Sequence, residues 1–203
     1  MKTFYIIRHG ETDYNRRGIV QGRGVDTDLN ETGRMQARRF YQAYSHVPFD
    51  KIYTSTLKRT HQTVQAFIDQ GIPWEQLPGL DELDWGNNEG QEPDSETMQD
   101  FYRVAEQWTE GAYDVAIPGG ESALDVTTRQ QEAVEYMLSK ENEKNVLICM
   151  HGRALRILMC GLTGKELKEM DRFPHQNLSL YKLRYDGQRF EILEFNELAH
   201  LYE

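Results

Sequence analysis

The chain has few cysteines and no long apolar run. Only Cys149 and Cys160 occur among its 203 residues. Two cysteines do not suggest the disulfide framework of a small secreted domain, so we expect both to be small buried side chains in a reducing compartment. The apolar run at residues 4–7 is too short for a signal peptide, and no run is long enough to cross a membrane. We therefore expect a cytoplasmic protein with no membrane partner.

Basic residues are also scarce. The sequence holds 23 Lys and Arg against 33 Asp and Glu, which gives a formal net charge of −10 at pH 7. Such a surface repels nucleic acid, so we expect no nucleic-acid partner. The charge balance does not exclude a small anionic ligand, because a local arginine cluster can dominate the field inside a cleft. The oligomeric state is left open by the sequence.

The apolar content is sufficient for one core. Hydrophobic residues make up 38% and aromatic residues 11% of the chain. A chain of this length favours one domain over residues 1–203. No repeat, low-complexity segment or linker interrupts it. We interpret the stretch at about 87–118 as an insertion over the functional site, not as a second domain.

Short apolar runs predict the strands of the core. Continuous runs at 4–7 and 146–150 are typical of buried strands, and 51–54 is a further short strand candidate. Between them, apolar residues recur at helical spacing. Asn30 and Ser122 precede such stretches and are expected to cap the helices.

The C-terminal part changes character and completes the predicted fold. A helix is expected at 95–109, whereas 178–184 and 190–195 alternate apolar with polar residues around Asp186-Gly187, a strong hairpin signal. Strands that alternate with helices predict an α/β fold. We expect a three-layer sandwich: a mostly parallel central sheet with helices on both faces and a C-terminal antiparallel hairpin.

Two His-Gly pairs each follow a strand-like run, at His9-Gly10 and His151-Gly152. Ligands of open α/β sheets bind beyond the carboxyl ends of the strands, so both histidines are expected at one functional edge. Arg8 adds a planar fork suited to anions. A single histidine at a strand end is usually structural, but two at matching positions favour a functional site. The metal alternative needs a third ligand at useful spacing, and no H-x-x-x-H or C-x-x-C pattern occurs.

The sequence resembles the histidine phosphatase superfamily, also called the phosphoglycerate mutase-like family. Five blocks in the family's order carry the resemblance and span nearly the whole chain: R-H-G-E-T-D-Y-N at 8–15, S-T-L-K-R-T-H-Q-T at 55–63, E-L-D-W-G at 82–86, P-G-G-E-S at 118–122 and V-L-I-C-M-H-G at 146–152. R-H-G alone would be a weak signal, whereas five blocks in order are a strong one.

The resemblance implies that His9 attacks phosphorus and carries the phosphoryl group as a covalent intermediate. His9 must be neutral to attack, which an ordinary histidine pKa near 6.5 permits. Arg8, Arg59 and His151 are implied to surround the phosphoryl oxygens, and Asn15 to donate one more hydrogen bond. Charge spreads over three oxygens during the transfer, so fixed donors around them are the main catalytic device.

Glu82 is implied to be the general acid and base. Most glutamates are solvated surface groups, and Asp81 and Asp84 lie close by, but Glu82 occupies the family's position. Gln21 and Gly22 are predicted to line the substrate pocket, with a plain turn as the alternative. No cofactor and no metal are implied.

The resemblance covers both phosphatases and mutases. Residues 90–118 hold one basic residue, Arg103, and seven acidic ones: Glu92, Asp94, Glu96, Asp100, Glu106, Glu110 and Asp114. An acidic lid would repel a doubly anionic sugar acid. We therefore expect hydrolysis of a small phosphomonoester. The alternatives are a bisphosphoglycerate-dependent mutase, a non-catalytic phosphate-binding module and a metal-dependent hydrolase. The natural substrate is not readable from the sequence.

Other side chains receive lesser interpretations. Glu121 and Ser122 are expected to organise a helix start. Arg153 and Arg156 are expected to add only local positive charge. Asn177 lies where the family often has a small polar residue near the phosphate, but it is not assigned a role. The remaining histidines are expected to be surface or packing residues: His46, His61, His175 and His200. Four side chains of the insertion region could shape a leaving-group pocket or pack in the core: Trp85, Tyr102, Arg103 and Trp108.

Overall fold

A six-stranded sheet forms the centre of the molecule. The computed structural model describes residues 1–92 and 95–202, and its strands lie in the order β3-β2-β4-β1-β5-β6. Their bounds are Lys2–Arg8 (β1), Lys51–Thr54 (β2), Trp74–Gln76 (β3), Asn145–Met150 (β4), Leu180–Tyr185 (β5) and Phe190–Glu197 (β6). The first four strands pair in parallel, whereas β5 pairs antiparallel with both β1 and β6. The predicted α/β fold with a C-terminal antiparallel hairpin is confirmed.

The apolar runs are continuous because both faces of the sheet are covered. In β1, Phe4 and Ile6 belong to one core cluster, while Tyr5 and Ile7 belong to a second. Successive strand residues point to opposite faces, so each cluster takes every other side chain. Phe4, Ile6 and Ile7 are fully buried. A strand that is buried on both sides has no solvated face that requires polar residues.

Helices cover the two faces of the sheet. Their bounds are Asp13–Arg17 (α1), Glu31–Tyr44 (α2), Lys58–Asp69 (α3), Ser95–Thr109 (α4), Ala123–Ser139 (α5) and Gly152–Thr163 (α6). Phe40 of α2 and Phe67 of α3 share the cluster of Ile7. Val126 of α5 and Leu155 of α6 belong to the other cluster, which also takes in residues of α4. The three-layer arrangement follows.

Local sequence signals set several helix boundaries. The Asn30 side chain accepts a hydrogen bond from the Gly33 N–H at 2.9 Å, and Ser122 forms a reciprocal capping box with Asp125. Both caps were predicted, because these side chains satisfy N–H groups that the first helical turn leaves unpaired. The predicted helix at 95–109 coincides with α4.

Two short elements were not predicted from the sequence. Helix α1 has five residues, none of them buried, so it carries no apolar stripe. Strand β3 has three residues, and Trp74 is 38% exposed. Periodicity needs several residues on one face before it becomes readable, and neither element offers them.

Both cysteines are buried and free, as expected. Burial raises the pKa of the Cys160 thiol to about 11 and raises that of Cys149 further. Neither thiol is therefore a ready nucleophile at neutral pH. Within residues 1–92 and 95–202, no helix combines the length and the apolar composition needed to span a bilayer.

Candidate active site

The sheet brings the two His-Gly pairs together. Strands β1 and β4 are parallel neighbours with Arg8 opposite Met150, so His9 and His151 both follow at the same edge. The His9 N–H donates to the carbonyl of Met150 at 3.0 Å. The centroids of the two imidazole rings are 5.1 Å apart. Residues separated by 142 positions in sequence therefore share one site, because parallel strands end at a common edge.

His9 is held as a neutral imidazole. Its Nδ1 lies 2.7 Å from the carbonyl oxygen of Gly10. A carbonyl only accepts, so Nδ1 carries the proton and Nε2 keeps its lone pair. Burial, together with the positive charges of Arg59 and Arg8, lowers the pKa of His9 well below its usual value. His9 is 3% exposed and lines a cleft of about 190 Å³.

His151 links an arginine to a serine. Arg59 Nε donates to His151 Nδ1 at 3.2 Å. The other ring nitrogen, Nε2, therefore carries the proton and donates to Ser55 Oγ at 2.7 Å. His151 is fully buried, and burial followed by the charge of Arg59 lowers its pKa well below the usual value. Ser55 opens the second block of the resemblance, but its side chain was assigned no function from the sequence.

Arg59 is fully buried and braces the loop that follows Gln21. Its Nη1 donates to the carbonyl of Val25 at 2.6 Å, and its Nη2 donates to the carbonyl of Gly22 at 3.3 Å. The described residues that line the cleft include neither Arg59 nor His151. The two residues lie beside His9 in the interior. Their fixed charge and hydrogen bonds act on the site from there.

Arg8 lines the cleft and holds a buried N–H donor without a partner among the described residues. Its Nη1 donates to the carbonyl of His175 at 2.8 Å. Its Nε is buried and, among the described residues, has no hydrogen-bond partner. A buried guanidinium N–H without an acceptor fits an anionic ligand, because leaving it unpaired is costly. Burial lowers the pKa of Arg8 to about 10, so the side chain is charged at neutral pH.

The carboxylate of Glu82 is bound by the first turn of α6. Its Oε1 accepts from the N–H groups of Leu83 and Ala154 at 2.9 and 2.8 Å, and its Oε2 accepts from the N–H of Arg153 at 3.1 Å. Glu82 is 6% exposed and lines the cleft. These bonds fix the carboxylate in the wall of the cleft that His9 also lines.

The two neighbouring carboxylates have other tasks. Asp81 accepts from the N–H and Oγ1 of Thr56 and pairs with Arg23 at 3.2 Å. Asp84 closes a turn by accepting from the N–H of Gly86 at 2.8 Å. Of the three acidic residues, Glu82 is the one found on the described wall of the cleft. The position of Glu82 on the cleft wall therefore favours it over Asp81 and Asp84 as the candidate general acid.

Asn15 and Gln21 also lie on the wall of the cleft. The Oδ1 of Asn15 accepts from the N–H of Thr12 at 3.2 Å and from the amide of Asn177 at 3.3 Å, so its amide nitrogen is the end that can donate to a ligand. Gln21 Nε2 donates to Thr12 Oγ1 at 2.8 Å, so this donor already has a partner within the protein. The two side chains form one polar corner of the cleft.

Gly22 acts through its backbone. A Cβ placed there would lie 1.8 Å from Oε1 of Glu89 and 2.6 Å from the carbonyl oxygen of Leu83. Its own carbonyl accepts from Arg59. Gly22 therefore allows two loops to approach closely behind the cleft, and the described lining residues do not include it.

Three further residues lie at the site, although the sequence analysis assigned them no role in it. His175 lines the cleft beside Arg8, and burial lowers its pKa to about 3. Asn177 donates to the carbonyl of His9 at 2.8 Å. Arg153 lines the cleft and lies 5.5 Å from the ring centroid of Phe101. No local pattern marks His175 or Asn177, because they come from the loop before β5, which is far from His9 in sequence.

The cleft walls are partly aromatic. Trp85 and Phe101 of α4 line it, with ring centroids 5.0 Å apart. Trp108 is 1% exposed and packs in the core. Tyr102 is 62% exposed, and Arg103 pairs with Asp100 on the surface. Of the four side chains considered for a leaving-group pocket, Trp85 is the one on the described cleft wall.

A larger groove lies elsewhere. It has a volume of about 610 Å³ and runs between α5, α6 and the β5–β6 hairpin, past Val134, Leu158 and Phe190. Its described lining contains none of the predicted site residues. We therefore place the functional site at the smaller cleft, where the titratable groups converge. Among residues 1–92 and 95–202, no cluster of three His, Cys, Asp or Glu side chains is arranged to hold a metal ion.

The fold and the site define a class of protein: an α/β enzyme whose sheet edge gathers histidine and arginine around a small anion-sized cleft. The family model of the histidine phosphatase superfamily (branch 1) matches residues 4–198. The chain belongs to this family. The prediction that it is an enzyme of the phosphoric monoester hydrolase type is confirmed at the level of the family.

The relatives of the chain include proteins named as phosphatases and proteins named as mutases. The chain is 29% identical over 207 residues to Phosphoserine phosphatase 1 of Hydrogenobacter thermophilus, covering 100% of this chain and 96% of that protein. It is 34% identical over 188 residues to "Probable phosphoglycerate mutase GpmB" of Serratia proteamaculans, covering 90% and 85%. The solved structure of Bacillus stearothermophilus YhfR superposes with a TM-score of 0.85 at 30% identity, covering 99% of this chain and 100% of that one.

Proposed function

We propose that the chain hydrolyses a small phosphomonoester through a phosphohistidine on His9. The observation that carries the proposal is the state of His9: it is buried and neutral, with Nδ1 fixed by the Gly10 carbonyl, and it lines the cleft. A neutral imidazole held in one tautomer is a nucleophile at Nε2. Arg8 also lines the cleft, and the unpaired N–H at its Nε is proposed to donate to a phosphoryl oxygen.

The first step transfers the phosphoryl group to the protein. Nε2 of His9 forms a bond to phosphorus in line with the leaving oxygen, and the bond from phosphorus to that oxygen breaks. Glu82, in its protonated form, donates its proton to the leaving oxygen. The product alcohol departs and leaves phosphohistidine and a Glu82 carboxylate.

The second step returns the protein to its starting state. Water attacks phosphorus while Glu82 accepts a proton from it. The bond between phosphorus and Nε2 of His9 breaks, and inorganic phosphate leaves. One carboxyl group thus serves as acid and then as base, which the hydrogen bonds from the first turn of α6 support by holding it in place.

Fixed donors stabilise the charge that is transferred. Arg8 and Asn15 line the cleft and are proposed to contact the phosphoryl oxygens directly. Arg59 and His151 are proposed to act from beside His9, where the Arg59 charge favours an anion in the cleft. Gln21 is proposed to orient the substrate through the polar corner that it shares with Asn15, and Gly22 to allow the loop to approach Arg59.

Hydrolysis is favoured over mutase transfer by the charges around the cleft. A mutase must hold a second anionic group. Arg153 is the further cation on the described wall, and it is already paired with Asp171 at 3.2 Å. Residues 90–118 carry seven acidic residues and one basic residue, although Asp94 lies outside the described residues. We propose that this acidic segment disfavours a bisphosphorylated sugar acid and leaves a phosphoenzyme to react with water.

The substrate is proposed to have a small leaving group. The cleft volume of about 190 Å³ is below the range of roughly 300–1,000 Å³ typical of drug-sized ligands. Trp85 and Phe101 offer flat apolar contact next to the phosphoryl position. Relatives and structural neighbours are named for phosphoserine and alpha-ribazole phosphatase activities. A screen of phosphorylated hydroxy-amino acids, sugar phosphates and nucleotides would identify the substrate.

The decisive experiment is hydrolysis of 4-nitrophenyl phosphate in the presence of EDTA. We expect wild-type activity to survive the chelator and to be lost in His9→Ala, with His46→Ala as a control at an exposed histidine. Acid-labile, alkali-stable phosphate should be trapped on the wild-type protein. Equal activity in wild type and His9→Ala would exclude the proposed nucleophile, and activity abolished by EDTA and restored by a divalent metal would favour the metal-dependent alternative.

A further inference from the structure

Arg129 on α5 holds the backbone of the segment that carries Glu82. Its Nη1 donates to the carbonyl oxygens of Gly79 and Asp81, both at 2.9 Å. Its Nη2 donates to the carbonyl oxygen of Glu82 at 3.0 Å. The remaining donors bind the carboxylate of Glu121 through Nε at 2.9 Å and Nη2 at 3.0 Å. All five N–H donors of the guanidinium are therefore used.

Glu121 fixes the other end of the same segment. Its Oε2 accepts from the N–H of Asp84 at 3.0 Å, and its own N–H donates to the carbonyl of Asp84 at 2.9 Å. It precedes Ser122, the cap of α5, so the start of this helix and the segment are tied together. The side chains of Arg129 and Glu121 are 14% and 17% exposed, so water competes little for these bonds.

The segment needs such support because it has no regular structure of its own. Residues 81–85 lie between two short 3-10 helices and belong to no strand or α-helix. The hydrogen bonds of a strand or helix therefore do not fix the position of Glu82 relative to His9. A general acid must lie within hydrogen-bond reach of the leaving oxygen. A misplacement of about 1 Å can lower a rate on the order of 100-fold.

We infer that Arg129, with Glu121, is a positioning residue for the Glu82 carboxyl; the inference rests on the proposed function of Glu82. Arg129 touches the backbone and not the cleft, so it acts only through the placement of Glu82. Its planar fork binds three carbonyl groups and one carboxylate at once. A lysine ammonium cannot reproduce this geometry. The Arg129–Glu121 pair thus decides how well the site serves substrates that require a proton to leave.

The test compares two aryl phosphates whose leaving groups differ in their need for a proton. The 2,4-dinitrophenolate ion leaves without a proton, whereas phenolate, like the side chain of tyrosine with its pKa near 10, benefits from one. We expect Arg129→Gln to lower kcat/KM for phenyl phosphate by about 10- to 100-fold and that for 2,4-dinitrophenyl phosphate by less than about 3-fold. Because kcat/KM reports the first phosphoryl transfer, water attack in the second step does not blur the comparison.

The ratio of the two kcat/KM values is the diagnostic quantity. A purely structural role would lower the active fraction and reduce both values equally, which would overturn the inference. Arg129→Lys should show an intermediate change in the ratio, and it supplies the measurement if Arg129→Gln does not fold. Arg39→Gln is the matched control, since Arg39 also donates to a backbone carbonyl, that of Leu201 near α2, and should leave the ratio unchanged.

A double mutant tests the positioning role of Arg129 separately from the proposed role of Glu82 as general acid. In a Glu82→Gln background, Arg129→Gln should cause no further loss on phenyl phosphate, because the group that it positions is absent. A further loss of 10-fold or more would contradict positioning. If the wild type hydrolyses neither ester, or His9→Ala retains activity, both proposals fail. If Glu82→Gln is selective for phenyl phosphate and Arg129→Gln is not, this inference alone fails.

Discussion

The carboxylate of Glu82 accepts a hydrogen bond from the backbone N–H of Ala154, with 2.8 Å between Oε1 and the nitrogen. Ala154 belongs to the first turn of α6, and α6 begins directly after His151. One helix therefore positions a histidine and an acid from separate parts of the chain. The partial positive charge of the helix N-terminus favours the carboxylate that Glu82 becomes once it has donated its proton.

Replacement of Glu82 should remove acid catalysis while preserving the fold. Glu82→Gln keeps the size of the side chain and one oxygen for the N–H of Ala154. We expect kcat/KM for phenyl phosphate to fall by about 10²- to 10⁴-fold, because the leaving oxygen no longer receives a proton. Steady-state kinetics measure this. Asp84→Asn, which alters a nearby turn carboxylate, should change the rate only a few-fold, and a similar loss in both variants would contradict the assignment of Glu82.

Stability should depend on pH through the buried histidines. Burial, with nearby arginines, lowers the pKa values of His9, His151 and His175, the last to about 3. An unfolded histidine takes up a proton near pH 6.5 while these remain neutral in the folded state. The unfolding free energy should therefore be fully retained above about pH 6.5 and fall below it, by about 1.4 kcal/mol per pH unit for each histidine.

Urea unfolding at several pH values between about 7.5 and 5.5 measures this slope. The matched variant is His151→Asn, which cannot take up a proton in either state. Its slope should be smaller than that of the wild type by about 0.7 kcal/mol per pH unit at pH 6.5 and by about 1.2 kcal/mol per pH unit at pH 5.5, because the unfolded histidine is about half and about nine-tenths protonated there. An unchanged slope would mean that His151 is not a neutral buried group in the folded protein.

Two glycine-to-alanine changes should have opposite effects. At Gly22 a Cβ would meet Glu89 Oε1 at 1.8 Å and the Leu83 carbonyl at 2.6 Å, so Gly22→Ala should destabilise the fold by about 1–3 kcal/mol and lower activity by disturbing Arg59. At Gly161 in α6 a Cβ would meet nothing within 4 Å. Gly161→Ala should stabilise the protein by about 0.5–1 kcal/mol. Thermal unfolding of both variants is the measurement; equal effects would contradict the packing around Gly22.

Ser55 should matter through its hydroxyl. Ser55→Ala removes the acceptor of the His151 Nε2–H and of the Leu57 N–H, and it leaves both donors buried. We expect a loss of about 1–3 kcal/mol in the unfolding free energy, with reduced phosphatase turnover because His151 loses its orientation. Ser139→Ala, at an exposed serine, is the control and should cost less than about 0.5 kcal/mol. A wild-type stability for Ser55→Ala would place the His151 proton elsewhere.

Much of the fold was predictable because its signals are local. The run at Phe4–Ile7 is a strand in any context that buries both faces, and Ser122 caps a helix through atoms three residues away. The Asp186-Gly187 turn likewise joins β5 and β6. His9 and His151 were placed at one sheet edge from their positions after two strands. The weak elements α1 and β3 were missed, since each is too short to show a periodicity.

The sequence by itself thus determined the strand runs, the main helix boundaries and which residue types gather at the sheet edge. Tertiary structure alone decided that Glu82 bonds the first turn of α6, that Arg59 bonds His151, and that Arg129 holds the acid-bearing segment. These hydrogen bonds join residues 47–92 positions apart. Their geometry follows from how helices and strands pack, and neither spacing nor periodicity contains that information, because both report only on neighbours along the chain.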